Sequence, residues 1–354
     1  MITLENIYEN GINFPTFYER KIKIENNFTI LYGAKNTGKT FLIYDYLSNC
    51  DKNYIYIDIL DYKFDKSLLS NLQQFIIDNN IKILVIENYS YDIKLPEVES
   101  IILSSKEFIS IDNFVSIKVM PLDFEEYILF DTKHQNTVNS FNSFLKYGNI
   151  PDIIDYKDFK KHIRNKELLE LYEPDQTSLQ ILKILIKSSG ELKSPFWLYT
   201  ILKKTIKISK DKLYKQIKQY EQNGIIFFIE KYNQPKAVKK IYCFNHSLID
   251  IVSSDKKFSN QFSNMIFLEL YNRYNNIYYL DGIDFYIPST NHIIICMPFF
   301  NKITFSNITA KLLKSISTID IITITIVTIS NYDTIYLDDI QCDIVPFYEW
   351  ALTL

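Results

Sequence analysis

The chain is poor in the residues that build metal sites, disulfide frameworks and membrane spans. Its 354 residues include four cysteines, none in a CxxC pair, which argues against a zinc site and a disulfide framework. The longest apolar run falls short of the roughly 18 residues of a membrane span, and the N-terminus lacks a signal-sequence pattern. We therefore expect a soluble cytoplasmic protein without a membrane partner.

Glycine is also scarce, yet two of the seven glycines fall in one motif of the GxxxxGK[ST] type. Such a loop needs glycine because its backbone N–H groups converge on phosphate oxygens, where a Cβ would block the approach. The lysine of the motif reaches the β- and γ-phosphates, and its last hydroxyl binds Mg²⁺. The motif therefore predicts an ATP and Mg²⁺ site made of Gly33, Ala34, Lys35, Asn36, Thr37, Gly38, Lys39 and Thr40.

The segments around this loop predict an α/β fold. A buried strand at 28–32 precedes the loop and a helix at 40–47 follows it. The chain continues with a strand at 54–58, a helical stretch at 66–79 and a strand at 81–88. This alternation is typical of a parallel sheet, so we expect a P-loop NTPase domain.

The strand at 81–88 ends in Glu87-Asn88, where a P-loop ATPase carries a metal-binding Asp and often a catalytic Glu. Glu87 then takes the metal position. Because the amide of Asn88 cannot accept a proton as a general base, we expect slow hydrolysis or none. Ser105, at the end of the next strand, either senses the γ-phosphate or caps the strand. Asp58 ends another strand and is interpreted as a solvated turn residue.

Positive charge is concentrated between residues 176 and 245. That segment has 14 lysines and four acids, so it carries +10 and leaves −13 for the rest of a chain whose net charge is −3. Its apolar spacing predicts three helices, followed by a β-hairpin at 225–231 and 239–244. This order is that of a winged helix-turn-helix.

The third helix of this segment carries lysines away from its apolar stripe, in positions suited to duplex DNA. They are Lys210, Lys212, Lys215 and Lys218. The alternatives are that these lysines solubilise a linker domain or that the module contacts a protein partner. Because the segment has no arginine, any DNA binding should be directed to the backbone and sensitive to salt.

Nearly the whole length of the chain resembles AAA-type P-loop ATPases of the archaeal-ATPase and DUF4143 group. The phosphate loop is similar to that group's GPRxxGKT, with Lys35 where Arg is usual. The segments 119–127 and 144–152 resemble its LxPLSFxEyL and YLxyGGFPEv motifs, and 344–352 resembles viPlweyLl, which we expect to be a closing helix.

The resemblance implies a C-terminal domain of the restriction-endonuclease type. Glu269 and Asp284 match two of its acidic positions, but Cys296-Met297-Pro298 stands where the ExK pair belongs. Metal-assisted cleavage needs clustered oxygens and a cation, so we expect this nuclease to be inactive.

These patterns together predict three domains. They are a P-loop ATPase domain with a small helical lid at 1–173, a winged helix-turn-helix at 174–252, and a degenerate nuclease-like α/β domain at 253–354.

The expected function is an ATP-binding switch with weak or absent hydrolysis. One alternative is an active, DNA-stimulated ATPase in which Glu87 suffices, with Arg164 or a neighbouring subunit's Arg20 stabilising the transition state. Another is a DNA-binding protein with a vestigial loop, against which the intact Lys39 and Thr40 argue.

Overall fold

The structure, a computed structural model, describes residues 3–173, 175–253, 255, 257–317, 319 and 321–354. The predicted domain boundary at Pro174 and the first two residues of the predicted first domain lie outside these ranges. The chain divides into two compact units. Unit 1 comprises residues 1–120 and 222–224, and unit 2 comprises 121–221 and 225–354.

Unit 1 is an α/β unit whose strands all run parallel. Within the described residues its sheet has five strands, in the order β2-β3-β4-β1-β5. Its elements in chain order are α1 (Leu4–Asn10), β1 (Phe28–Tyr32), α2 (Lys39–Ser48), β2 (Tyr54–Asp58), a 3₁₀ helix (Lys66–Asn71), α3 (Leu72–Asp78), β3 (Ile83–Glu87), β4 (Ser100–Ser105) and β5 (Val115–Lys118).

Both faces of this sheet are buried, which explains its nearly continuous apolar strands. Strand β3 illustrates the pattern, since successive side chains point to opposite faces. Ile83 and Val85 belong to the cluster that contains α2, whereas Leu84 and Ile86 belong to the cluster of α1 and α3. The sheet is thereby fixed between helices, and the carboxyl ends of its strands lie along one edge.

Unit 2 combines helices with a mixed sheet, which has eight strands in the described residues. Their order is β12-β13-β11-β10-β9-β8-β6-β7. The elements are α4 (Phe124–Phe130), α5 (Thr137–Tyr147), a 3₁₀ helix (Pro151–Ile153), α6 (Asp158–Tyr172), α7 (Gln176–Lys187), α8 (Pro195–Leu202), α9 (Lys210–Gln222), β6 (Ile226–Lys231), β7 (Lys240–Cys243), α10 (Leu248–Val252), α11 (Phe258–Arg273), β8 (Tyr278–Leu280), β9 (Ile283–Ile287), β10 (His292–Cys296), α12 (Lys302–Ile316), β11 (Thr323–Thr328), β12 (Asp333–Leu337), β13 (Ile340–Pro346) and α13 (Phe347–Thr353).

The predicted three helices and hairpin of residues 176–244 correspond to α7, α8, α9, β6 and β7. The sheet continues beyond this hairpin. Strand β6 pairs in parallel with β8, through Glu230 opposite Tyr278 and Lys231 opposite Tyr279. The sheet is therefore continuous across the predicted boundary at 252, and the three-domain division stays a prediction.

Two sequence-based element assignments differ from the structure. The helix expected over 66–79 is a 3₁₀ turn followed by α3. The closing helix expected over 344–352 begins only at Phe347, because Ile344 and Val345 pair with Ile326 and Val327 of β11. Their β-branched side chains suit a strand, and Pro346 separates it from the helix.

Candidate functional site

The loop between β1 and α2 has the backbone geometry that its glycines permit. Gly33 has φ +135°, and a Cβ at this position would lie 2.7 Å from the carbonyl oxygen of Val119. Gly38 has φ +96° and precedes the first residue of α2, while Asn36 has φ +61°. Side chains rarely adopt such angles, and asparagine tolerates them better than most residues. The loop thus leads directly from β1 into the N-terminus of α2, where an anion is favoured.

A buried arginine supports the loop from within unit 1. The Nη1 of Arg20 donates to the carbonyl of Thr37 at 2.8 Å, and its Nη2 donates to the carbonyl of Met120 at 3.1 Å. Thr37 in turn donates its hydroxyl to the carbonyl of Ala34 at 3.0 Å. Arg20 is only 5% exposed and is bonded within its own unit, which argues against a role as an arginine finger for a neighbouring subunit.

Lys39 lies folded against the loop. Its Nζ donates to the carbonyls of Gly33 at 3.0 Å and Ala34 at 2.7 Å. Burial lowers the pKa of Lys39 to about 8, with the Glu87 carboxylate acting in the opposite direction and Lys35 adding to the lowering. A phosphate would exchange these neutral carbonyl partners for a charged one and favour the protonated amine.

The Glu87 carboxylate accepts hydrogen bonds from three hydroxyl groups at the carboxyl end of the sheet. Its Oε1 accepts from the Thr40 hydroxyl at 2.7 Å and from the Ser104 hydroxyl at 3.3 Å, and its Oε2 accepts from the Tyr56 hydroxyl. Burial and the neighbouring Glu87 carboxylate raise the pKa of Tyr56 well above its usual range, so its hydroxyl keeps its proton. Side chains of three elements, α2, β2 and β4, thus converge on the carboxylate at the end of β3.

This arrangement fits a magnesium ion. Mg²⁺ binds oxygens at about 2.1 Å in an octahedron, so two adjacent ligands lie about 3 Å apart. The Thr40 and Glu87 oxygens are separated by 2.7 Å, close to that spacing. Thr40 and Glu87 would therefore hold the ion directly or through water. When bound, Mg²⁺ neutralises charge on the β- and γ-phosphates.

The side chain of Asn88 is engaged with Asp58, on the neighbouring strand. Asn88 has φ +57°, and its amide nitrogen donates to Oδ1 of Asp58 at 2.8 Å. Asp58 ends β2 directly opposite Glu87 and also accepts from the backbone of Leu60 at 2.9 Å. A second carboxylate therefore stands at the edge of the sheet, on a neighbouring strand.

The two serines at the end of β4 have different partners. Ser104 contacts the Glu87 carboxylate, whereas the hydroxyl of Ser105 accepts from the backbone N–H of Glu107 at 3.1 Å. The sequence predicts Ser105 as a site residue. It does not predict Ser104, Tyr56 or the contact of Asp58 with Asn88. All three lie at or near the carboxyl end of a strand, the edge where ligands of open α/β sheets bind, and that signal could have found them.

In unit 2, α9 presents the predicted lysines to solvent. Its Leu213, Ile217 and Tyr220 are buried. Lys210, Lys212, Lys215 and Lys218 are exposed.

Two of these lysines have neighbours that bear on their use. Lys210 lies with its Nζ 5.2 Å from the centre of the Phe196 ring, which is exposed on α8. Lys212 has its Nζ 3.5 Å from a carboxylate oxygen of Asp175. The helix therefore offers a basic face with an aromatic border.

The two acidic residues attributed to a nuclease are each tied to structural partners. Glu269 is 1% exposed and accepts from the backbone N–H of Phe124, at the start of α4, at 2.9 Å. Asp284 accepts from Lys240 Nζ at 2.8 Å and from the backbone N–H of Cys296 at 2.9 Å. Among the described residues, no group of three or more His, Cys, Asp or Glu is arranged to hold a metal ion.

A strand, a GxxxxGK[ST] loop and a helix, set in a parallel sheet with an acidic strand end beside the loop hydroxyl, form one recognised unit. Unit 1 has the fold of a P-loop NTPase. In the described part of the chain, no helix is both long and apolar enough to cross a membrane.

No family model and no curated protein matches the chain. Among solved structures it is similar to a Walker-type ATPase of Pyrococcus abyssi, at 15% identity and a TM-score of 0.44, over 64% of this chain and 91% of that one. It is also similar to the ORC1 protein of Aeropyrum pernix, solved in complex with DNA, at 12% identity and a TM-score of 0.31, over 66% of this chain and 88% of that one. Likenesses this distant carry no conclusion about activity.

Proposed function

We propose that this chain is a cytoplasmic, AAA-type ATP-binding switch with weak or absent hydrolysis. Nucleotide at residues 33–40 would bias how a basic winged helix and an inactive nuclease-fold domain are presented to duplex DNA or to a protein partner. The observation that supports nucleotide binding most directly is the 2.7 Å contact of Thr40 with Glu87 beside a glycine-lined loop. The proposal has five parts, which are nucleotide binding, the nucleotide-dependent switch, slow hydrolysis, DNA binding and an inactive nuclease fold, and each can fail separately.

Nucleotide binding is tested with a fluorescent ATP analogue in the presence and absence of Mg²⁺. We expect Lys39→Ala to abolish saturable binding, and Thr40→Val to remove the Mg²⁺ dependence while leaving weak binding. A wild-type protein that binds no nucleotide would contradict the proposal.

The switch itself is tested by limited proteolysis, in which nucleotide should change the cleavage pattern. Identical patterns with and without ATP would refute it.

Slow hydrolysis is inferred from the partners of Asn88. An amide cannot act as a general base, and this amide is engaged with Asp58 at 2.8 Å. We expect steady-state ATP turnover, with Lys39→Ala as the blank, to stay well below about 1 s⁻¹, the lower end of ordinary enzymes. Faster Lys39-dependent turnover would refute this part.

One observation favours the second candidate, an active and DNA-stimulated ATPase. The carboxylate of Asp58 stands opposite Glu87 and is oriented by Asn88, so it offers the general base that Asn88 itself cannot supply. In that case Asp58→Asn should abolish turnover, while Asn88→Ala should lower it by misorienting the carboxylate. A turnover rate unaffected by Asp58→Asn would exclude Asp58 as the base, and no Lys39-dependent turnover with or without duplex DNA would exclude this candidate.

DNA binding is inferred from the exposed lysines of α9. Because lysines would contact phosphates without reading bases, affinity for duplex DNA should fall steeply between 50 and 200 mM salt, by about tenfold or more. Replacing Lys210, Lys215 and Lys218 by Gln should lower the affinity and flatten the salt dependence. The matched control replaces the three exposed lysines of α12, Lys302, Lys311 and Lys314, and it should change neither. A salt-independent affinity, or none at all, would contradict DNA binding.

Nuclease inactivity is inferred from the partners of the two remaining acids. Asp284 is ion-paired with Lys240, and Glu269 accepts a backbone N–H, so neither carboxylate is arranged with a third metal ligand among the described residues. We expect no cleavage of DNA with Mg²⁺ or Mn²⁺. Metal-dependent cleavage that Asp284→Asn abolishes would contradict this part.

A further inference from the structure

Tyr56 lies on the same face of the unit 1 sheet as Glu87, two residues nearer the amino end. Strands β2 and β3 run parallel, and Tyr56 is opposite Val85, which precedes Glu87 by two residues. Side chains two residues apart along a strand point to the same face, about 6.6 Å from one another. A tyrosine side chain spans this distance, so the Tyr56 hydroxyl reaches forward along the sheet and donates to Oε2 of Glu87.

The ring of Tyr56 is fixed by packing between the sheet and α2. It packs against the apolar cluster that contains α2, and its centre lies 5.9 Å from the centre of the Tyr44 ring, at an interplanar angle of 51°. Burial and the Glu87 carboxylate raise the pKa of Tyr56, so the hydroxyl keeps its proton and acts as a donor. The fold therefore sets the position of this donor.

The two oxygens of the Glu87 carboxylate have different partners. Oε1 accepts from the hydroxyls of Thr40 at 2.7 Å and Ser104 at 3.3 Å. Among the described residues, Tyr56 is the donor that contacts Oε2. Glu87 is buried, so water competes little for these bonds. The hydrogen bond to Oε2 thereby fixes Oε1 as the oxygen that faces the Thr40 hydroxyl.

A glutamate at this position needs such a constraint more than an aspartate does. P-loop ATPases carry a metal-binding Asp here, and Glu has one more methylene and one more rotatable bond. The last torsion of a glutamate side chain is also broad and weakly determined by itself. Ligands of a metal site must be held to within about 0.5 Å, and hydrogen bonds from neighbouring side chains provide this precision.

We propose that Tyr56 is a positioning residue for the cation of the nucleotide site, and that its hydroxyl allows Glu87 to take the role of the shorter aspartate. The hydroxyl acts through Glu87, by holding Oε2 and leaving Oε1 beside Thr40. This inference rests on the nucleotide-binding part of the proposed function.

The test measures the Mg²⁺ concentration that half-saturates the binding of a fluorescent ATP analogue. Loss of a hydrogen-bond partner of a metal ligand lowers metal affinity by about 10–100-fold, so Tyr56→Phe, which keeps the ring, should raise the half-saturating Mg²⁺ concentration at least about tenfold. Binding of the analogue without Mg²⁺ should not change. The matched control is Tyr54→Phe, which removes a hydroxyl on the same strand that does not contact Glu87 and should change neither quantity.

A second background separates positioning from packing. Glu87→Asp shortens the side chain and draws its carboxylate away from the Tyr56 hydroxyl. Adding Tyr56→Phe to Glu87→Asp should therefore cause no further rise in the half-saturating Mg²⁺ concentration. An effect of Tyr56→Phe that is equally large in both backgrounds would overturn the proposal, because it would not act through Glu87.

The remaining outcomes distinguish this inference from the proposed function. A wild-type protein that binds no nucleotide would overturn both. Nucleotide binding by the wild type with no dependence on Mg²⁺, or with the same half-saturating Mg²⁺ concentration in Tyr56→Phe, would overturn this inference alone. An equal loss of Mg²⁺-free binding in Tyr56→Phe would assign Tyr56 a purely structural role and would also overturn it.

Discussion

Deleting the Arg20 side chain distinguishes a support for the phosphate loop from a catalytic finger. Arg20→Ala removes charge-assisted hydrogen bonds to the carbonyls of Thr37 and Met120, at 2.8 and 3.1 Å. Such bonds contribute about 1.5–3 kcal/mol each, so we expect unit 1 to lose about 3–6 kcal/mol of stability. Because RT ln 10 is about 1.4 kcal/mol, this corresponds to at least about a hundredfold loss of protection from hydrogen exchange.

Hydrogen exchange followed by mass spectrometry measures this loss in the intact chain. Both tryptophans lie in unit 2, so their fluorescence would not report on β1 and α2, whereas exchange of peptides from these two elements does. The matched control is Arg164→Ala, because Arg164 forms partly exposed ion pairs with Asp152 and Glu167 and such pairs contribute about 0–1 kcal/mol. Unchanged protection of β1 and α2 in Arg20→Ala, with only turnover reduced, would refute the supporting role.

Three further perturbations have defined outcomes. Gly33→Ala places a Cβ 2.7 Å from the carbonyl oxygen of Val119, so nucleotide affinity should fall at least about tenfold, whereas Gly11→Ala, with open space around it, should leave affinity unchanged. Because the pKa of Lys39 is about 8 and phosphate needs the cation, affinity should fall about tenfold between pH 7 and pH 9. Burial lowers the pKa of His246 to about 4, so the unfolded state binds the proton before the folded state does as the pH falls below 6.5. The free energy of unfolding of unit 2 should therefore fall by about 3 kcal/mol between pH 6.5 and 4.

Two control variants distinguish the titrations of Lys39 and His246 from those of other groups. Lys39→Arg keeps its charge over the whole range, so any binding that it retains should not depend on pH between 7 and 9. His246→Gln lacks the titrating ring, so the stability difference from wild type should shrink as the pH falls, as followed by tryptophan emission. A constant difference would show that His246 does not titrate in this range, and a flat affinity in the wild type would show the same for Lys39.

The sequence predicts the bounds of those elements whose pattern of apolar residues matches their burial in the fold. Strands β1 and β2 are predicted with the bounds that the structure has, and α2 to within one residue at each end, because a glycine-flanked loop and a buried apolar run leave few alternatives. The apolar stripe of α9 was predicted as well, since a 3.6-residue period is unambiguous over 13 residues.

The contacts within the candidate site could not be predicted, because they depend on which strands are neighbours in the sheet. The order β2-β3-β4-β1-β5 brings Tyr56 and Ser104 to Glu87, although they are separated from it by 31 and 17 residues along the chain. No local pattern encodes such pairing. The same holds for Arg20, whose role depends on the carbonyl of Met120, a hundred residues away.

The continuous sheet of unit 2 has a consequence for any attempt to shorten the protein. Strand β6 lies between β7 and β8, so a fragment that stops at residue 252 would lose β8 and expose the edge of β6 at Glu230 and Lys231. A freshly exposed strand edge is a template for pairing with another chain. Such a fragment, although it would retain all the helices and the hairpin of the basic module, should self-associate through β6, and the lysines at Lys231 and Lys240 would then be left as its main protection against aggregation.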